Sequence, residues 1–162
     1  MRRLTSAIPA ALCALLWLAA PASGQAETAQ ISAPEAFRAA GRGDLLLIDI
    51  RTRREWRRTG LPANGKRATI HGPDGMEGFL RRVLLLTGGD RTREIALICA
   101  AGVRSARARS YLRDHGFTRV MDVGEGMEGH GIFAAPDKRG WLRRDLPVER
   151  CGRCDYPAPE KR

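Results

Sequence analysis

Ile95-Ala-Leu-Ile98, Cys99-Ala-Ala-Gly-Val-Arg104 and Ser105-Ala-Arg-Ala-Arg-Ser-Tyr-Leu-Arg113 follow one another without interruption in this chain. The first is an apolar run of strand length and the last has helical character, so the middle six residues join a buried strand to a helix. A loop that closes onto a helix N-terminus turns several unpaired backbone N–H groups toward one spot, and that spot favours an anion. Cys99 at the rim of such a loop reads as a nucleophile, because the helix dipole and the Arg104 guanidinium both favour thiolate over thiol. Gly102 lets the backbone turn inward where a side chain would fill the cradle. Ser105 reads as the N-cap that opens the helix. The competing reading of Cys99 is a small unreactive hydrophobe at a strand end.

Working outward, the chain alternates strands and helices. Ser32-Ala-Pro-Glu35 is a capping box with proline in the first turn, and it predicts a short helix ending at Gly41 or Gly43. Leu45 to Ile50 predicts a strand covered on both faces, Arg53 to Arg58 a short helix, and Gly60 to Gly65 a turn. A short strand is expected at Ala68 to Ile70 and a helix from Gly75 to Leu86, stopped by Gly88-Gly89. Arg119 to Val123 is the last expected strand. This order predicts an α/β domain with a mainly parallel central sheet flanked by helices on both faces. Cys99 would then stand at a strand's carboxyl end, where open α/β sheets place ligands.

These stretches together resemble the rhodanese-like sulfurtransferase family. Leu45-Leu-Leu-Ile-Asp-Ile-Arg51 with Arg53-Arg-Glu-Trp56 is similar to that family's first strand and its Asp-x-Arg…Glu-(Trp/Tyr) signature. Ile95 to Arg104 resembles its active-site strand and loop. His115-Gly-Phe-Thr-Arg-Val120, Gly124-Glu-Gly-Met-Glu-Gly129 and Gly140-Trp-Leu-Arg-Arg-Asp-Leu-Pro-Val148 resemble the approach to the last strand, the glycine-rich turn and the close of the domain. Gly60-Leu-Pro-Ala-Asn-Gly65 departs from the family's Gly-His-Ile-Pro-Gly-Ala by losing the histidine, and Gly131 to Arg139 reads as an insertion.

The resemblance implies transfer of sulfane sulfur through a Cys99 persulfide, from a small anionic donor to a thiol or other nucleophilic acceptor, a protein thiol included. No cofactor and no metal is implied. Ala100, Ala101, Gly102, Val103, Arg104 and Ser105 form the expected substrate loop, and Asp49 and Arg51 are expected as supporting residues. The alternative is a non-catalytic exported rhodanese-like module that binds a partner or senses redox state. Phosphatases and arsenate reductases on this fold use a loop one residue longer; the four residues between Cys99 and Arg104 suit a sulfur atom instead of a tetrahedral anion.

The chain divides into a signal peptide over 1–26, a domain over 28–149 and a tail over 150–162. Met1-Arg-Arg-Leu4 is basic, Ala7 to Ala20 is nearly all apolar, and Ala22-Ser-Gly24 or Gly24-Gln-Ala26 offers small residues for cleavage. The apolar run contains Pro9, stops at Pro21 and is too short for a membrane span. Export follows, to the periplasm in a Gram-negative source, where cysteines meet an oxidising environment. Cys99, Cys151 and Cys154 survive cleavage; closing Cys151 on Cys154 leaves Cys99 free, and the pair reads as a structural disulfide or a redox partner. His71, His115 and His130 show no metal-like spacing. The net charge of +10 is carried largely by arginine. Export and the lack of a recognition motif argue against nucleic acid, and the charge fits small anions or solvated surface.

Overall fold

The computed structural model describes residues 30–129 and 139–151. The expected signal peptide, most of the expected insertion, His130 and Cys154 with the rest of the tail lie outside the described residues.

The chain runs β1 (Gln30–Ile31), α1 (Ala33–Arg42), β2 (Leu46–Asp49), α2 (Arg53–Thr59), β3 (Leu61–Pro62), β4 (Lys66–Arg67), α3 (Gly75–Thr87), β5 (Ile95–Ile98), α4 (Val103–Asp114), β6 (Val120–Val123), a 3₁₀ turn (Leu142–Arg144) and β7 (Val148–Glu149). Five strands form one sheet in the order β1-β6-β5-β2-β4, every pair parallel. Side chains of successive strand residues point to opposite faces, so each central strand feeds two cores. Ile48, Ile95, Leu97 and Val120 pack with Phe79 and Val83 of α3 and Ala108 and Leu112 of α4. Leu47, Ala96, Ile98, Met121 and Val123 pack on the other face with Ala33 and Ala36 of α1 and with Trp141. The sheet is therefore covered on both sides, as its continuous apolar strands require.

Local chemistry sets the helix ends. Ser32 and Glu35 form the expected capping box of α1, which ends at Gly43 in the left-handed conformation. A second capping box, Thr52 with Glu55, opens α2. The strand expected at Ala68 to Ile70 is displaced: the ladder with β2 is assigned to Lys66–Arg67. Its hydrogen bonding nevertheless continues from Ala68 N to Asp49 O (3.1 Å) and from Ile70 N to Ile50 O (3.2 Å).

Strand order locates the crevice. From β2 the chain moves outward to β4, whereas from β5 it moves the opposite way to β6. Neighbouring strands whose onward connections diverge leave a gap at their carboxyl ends, the place where such sheets bind ligands. Cys99 follows β5 at that gap.

Candidate active site

Cys99 closes β5 and is 1% exposed. Its carbonyl accepts from Met127 N (2.8 Å), and that of Ala100 accepts from Glu128 N (2.8 Å). In a trans peptide the N–H points opposite to the C=O, and no peptide bond among the described residues is cis. The amides of Ala100 and Ala101 are thus turned away from the 124–128 segment and into the loop. Gly102 takes a φ of +81°, and a Cβ there would lie 2.0 Å from Gly124 O. Gly126 has φ +64°, and a Cβ on it would meet Ala100 O at 2.5 Å and Ala101 N at 2.7 Å. Two glycine-bearing turns are pressed backbone to backbone, which no side chain would permit.

Helix α4 starts at Val103 with Gly102 as its N-cap, without a side-chain cap. The expectation that Ser105 is the N-cap is corrected: it lies inside the first turn and is fully buried. Gly102's freedom to adopt positive φ starts the helix earlier than a polar cap would. Ala106 N bonds Gly102 O (3.0 Å), so the amides of Val103, Arg104 and Ser105 belong to the first helical turn and lack an intrahelical acceptor. Ser105 Oγ lies 2.9 Å from Gly102 O as donor and 3.5 Å from Cys99 Sγ. With its one proton on the carbonyl it accepts from the thiol; rotated, the same hydroxyl can donate to a thiolate.

Arg104 does not stand open. Its Nη1 donates to Glu55 Oε2 (3.0 Å) and its Nη2 to Glu55 Oε1, a two-pronged contact from α4 to α2. The side chains are 28% and 16% exposed. Burial pushes the Glu55 carboxyl upward, but bonds from Arg104 and from the Thr52 side chain and amide outweigh it and hold the pKa at about 2. The Glu55 hydrogen bond raises Arg104 in turn, against burial and with help from the charges of Glu55, Cys99 and Asp49. Nη1 makes a further contact, to His71 Nε2 at 3.3 Å. Arg104 is therefore first a tie between the loop and α2.

Asp49 and Arg51 form a wholly buried ion pair, with Nη2 at 2.7 Å from Oδ2. Arg51 also donates to Thr59 Oγ1 (2.8 Å) and Gly60 O (2.8 Å). The pair links the end of β2 to the end of α2, on which Glu55 rides. Among the loop's variable residues, Ala100 and Ala101 are half-buried and Val103 is 60% exposed, which gives the mouth an apolar lip. Cys151 is half-buried against Trp56 and Leu61, and Arg67 Nη1 donates to its sulfur at 3.6 Å. Among the described residues no cluster of three or more His, Cys, Asp or Glu side chains is arranged to hold a metal ion.

Four contributors were not singled out from sequence as site residues: Glu55, His71 and the amides of Met127 and Glu128. The Thr52-x-x-Glu55 pattern signalled a helix start, but nothing local tied Glu55 to a residue 49 positions away.

Residues 32–130 match the family model described as Rhodanese-like domain. An uncharacterized protein of Rickettsia conorii is 28% identical over 108 residues, spanning 62% of this chain and 80% of that one. A crystal structure from M. tuberculosis is similar at 26% identity and a TM-score of 0.58, over 75% of this chain and 96% of that one. The solution structure of a polysulfide-sulfur transferase homodimer from Wolinella succinogenes shares the fold at 24% identity and a TM-score of 0.52, over 76% and 80% of the two chains.

Proposed function

Since this chain belongs to the rhodanese-like domain family, we propose that it is a sulfurtransferase that carries sulfane sulfur on Cys99. The Cys99 thiolate attacks the outer sulfur of a donor; a new S–S bond forms, and the donor's bond to that sulfur breaks with the electron pair leaving on the remainder. A nucleophilic acceptor then attacks the outer sulfur of the persulfide, the Cys99 S–S bond breaks, and the thiolate is restored. Loop amides from Ala100 to Ser105 stabilise the outer sulfur, as an oxyanion hole stabilises developing charge. Ser105 offers its proton to whichever sulfur charge lies on Cys99.

The observation that carries this reading is the loop's shape. Four residues lie between Cys99 and Arg104, and their carbonyls at 99 and 100 are tied outward so that the amides face in. The W. succinogenes protein that shares this fold is named for polysulfide-sulfur transfer, which supports the reading. We place the protein in an oxidising compartment after removal of 1–26, with Cys151 and Cys154 as a pair apart from the working thiol.

Mass spectrometry of the purified chain after incubation with thiosulfate, polysulfide or a low-molecular-weight persulfide tests this. A gain of about 32 Da on Cys99, one sulfur atom, absent in Cys99→Ala, is the expected result. Wild-type protein that gains nothing from all three donors overturns the assignment.

A further inference from the structure

Arg104 uses both hydrogens of Nη1: one goes to Glu55 Oε2, the other to His71 Nε2 at 3.3 Å. A guanidinium has donors and no acceptor, so His71 must be the acceptor, with its own proton on Nδ1. The imidazole is exposed to solvent, yet its backbone is held. His71 N donates to the Oγ1 of buried Thr69 (3.0 Å), whose carbonyl accepts from Arg82 Nη2 (2.8 Å). This histidine is a fixed fitting on the segment between β4 and α3, at the carboxyl end of the sheet where Cys99 lies.

Resting on the proposed chemistry for its relevance, we infer that His71 sets the charge selectivity of the Cys99 site. In its neutral form it covers the outward N–H of Arg104. A proton from solvent on Nε2 removes the lone pair, and the imidazolium can no longer accept. Arg104 Nη1 is then uncovered and a second cationic donor stands beside it, a site for the anionic end of a sulfur donor. Charged groups reach this corner from several elements: Arg104 on α4 touches the imidazole itself, Glu55 on α2 holds that guanidinium, and Arg82 on α3 bonds the carbonyl of Thr69. The carboxylate of Glu55 stays committed to Arg104 in both states. Imidazole side chains as a class change charge between about pH 5 and 8, so the test spans that range.

Alkylation of Cys99 by iodoacetate and by iodoacetamide isolates the effect. Both reagents need the thiolate, so the ratio of their rates cancels Cys99 ionisation and reports the charge at the mouth. In the full chain at low ionic strength, the iodoacetate/iodoacetamide ratio should rise about three- to tenfold between pH 8 and pH 5.5, the effect of one nearby charge. His71→Gln should give a flat ratio, and His71→Lys a high ratio throughout, which keeps the test readable if one variant folds poorly. A flat wild-type ratio, an unchanged slope in His71→Gln, or a Cys99 that neither reagent reaches would overturn the inference. Persulfide formation with a flat ratio sinks the role of His71 alone; a His71-dependent ratio without persulfide sinks sulfur transfer alone.

Discussion

Glu55 is a largely buried carboxylate whose partners outweigh the cost of its burial. Its folded pKa of about 2 lies well below the 4.5 of an unperturbed glutamate. A carboxyl depressed on folding adds stability above its unfolded pKa, and this is lost as pH falls from about 4.5 toward 2. Solvent reaches the pair, so the contribution is about 1–2 kcal/mol after screening. Glu55→Gln should be destabilised by that amount at pH 7 and should show a shallower loss of stability between pH 5 and about 2, measured by urea unfolding at a series of pH values. An unchanged acid slope would mean that the Arg104 tie is spent in holding geometry alone. Gly102→Ala places a methyl against Gly124 O at positive φ, and it should lose about 2–4 kcal/mol and all Cys99 persulfide. Retention of both would show that the 124–128 turn can retreat.

At the scale of elements, the β2–α2 connection depends on a buried ion pair that seals its end, since Arg51 reaches Asp49, Thr59 and Gly60 at once. Removing one member leaves the other charged and buried, which costs about 3–5 kcal/mol, whereas removing both costs less. Arg51→Met should therefore be the least stable variant and Asp49→Asn with Arg51→Met more stable than it, as read from denaturant midpoints. A double variant no better than the single would show that the bonds to Thr59 and Gly60, not the charge, dominate. The same scale explains what sequence made visible. The strands β2, β5 and β6 and the helices α1 and α3 carry their own signals: continuous apolar runs, a capping box, and glycines at helix ends. The two-residue strands β1, β3 and β7 carry none. Leu61 pairs with Glu149, and Gln30 with Asp122, only because the completed fold brings them together. In the candidate site Cys99, Gly102 and the loop were legible as one unit because they are contiguous. The turn that ties back their carbonyls, and the two partners of Arg104, lie at separations no local pattern encodes.

Across the whole molecule, the loop is the innermost of several packed layers. Behind it is the 124–128 turn, and behind that the closing segment: Trp141 N bonds Gly126 O (2.9 Å), Leu142 N bonds Met127 O (2.9 Å), and the Trp141 ring meets Phe37 of α1 edge-on. The chain's last described residues thus run from the back of the site to β7, which pairs with β3, and on to Cys151 beside Trp56, the neighbour of Glu55. Cysteine chemistry should be divided along this path, with Cys99 kept for transfer and Cys151 engaged in the tail with Cys154. Expressed with residues 1–26 in a Gram-negative host, the protein should be recovered from the periplasm with a mass beginning after Gly24 or Ala26. Native thiol trapping should then label Cys99 alone, and all three mature cysteines after reduction and unfolding. The burial of Cys99 makes native labelling slow, so a small reagent and a long exposure are needed. Label on Cys151 in the oxidised native protein would overturn this division. A cytoplasmic product of full-length mass would overturn export, leaving the two cysteines in a reducing space where a pairing between them would not be expected to persist.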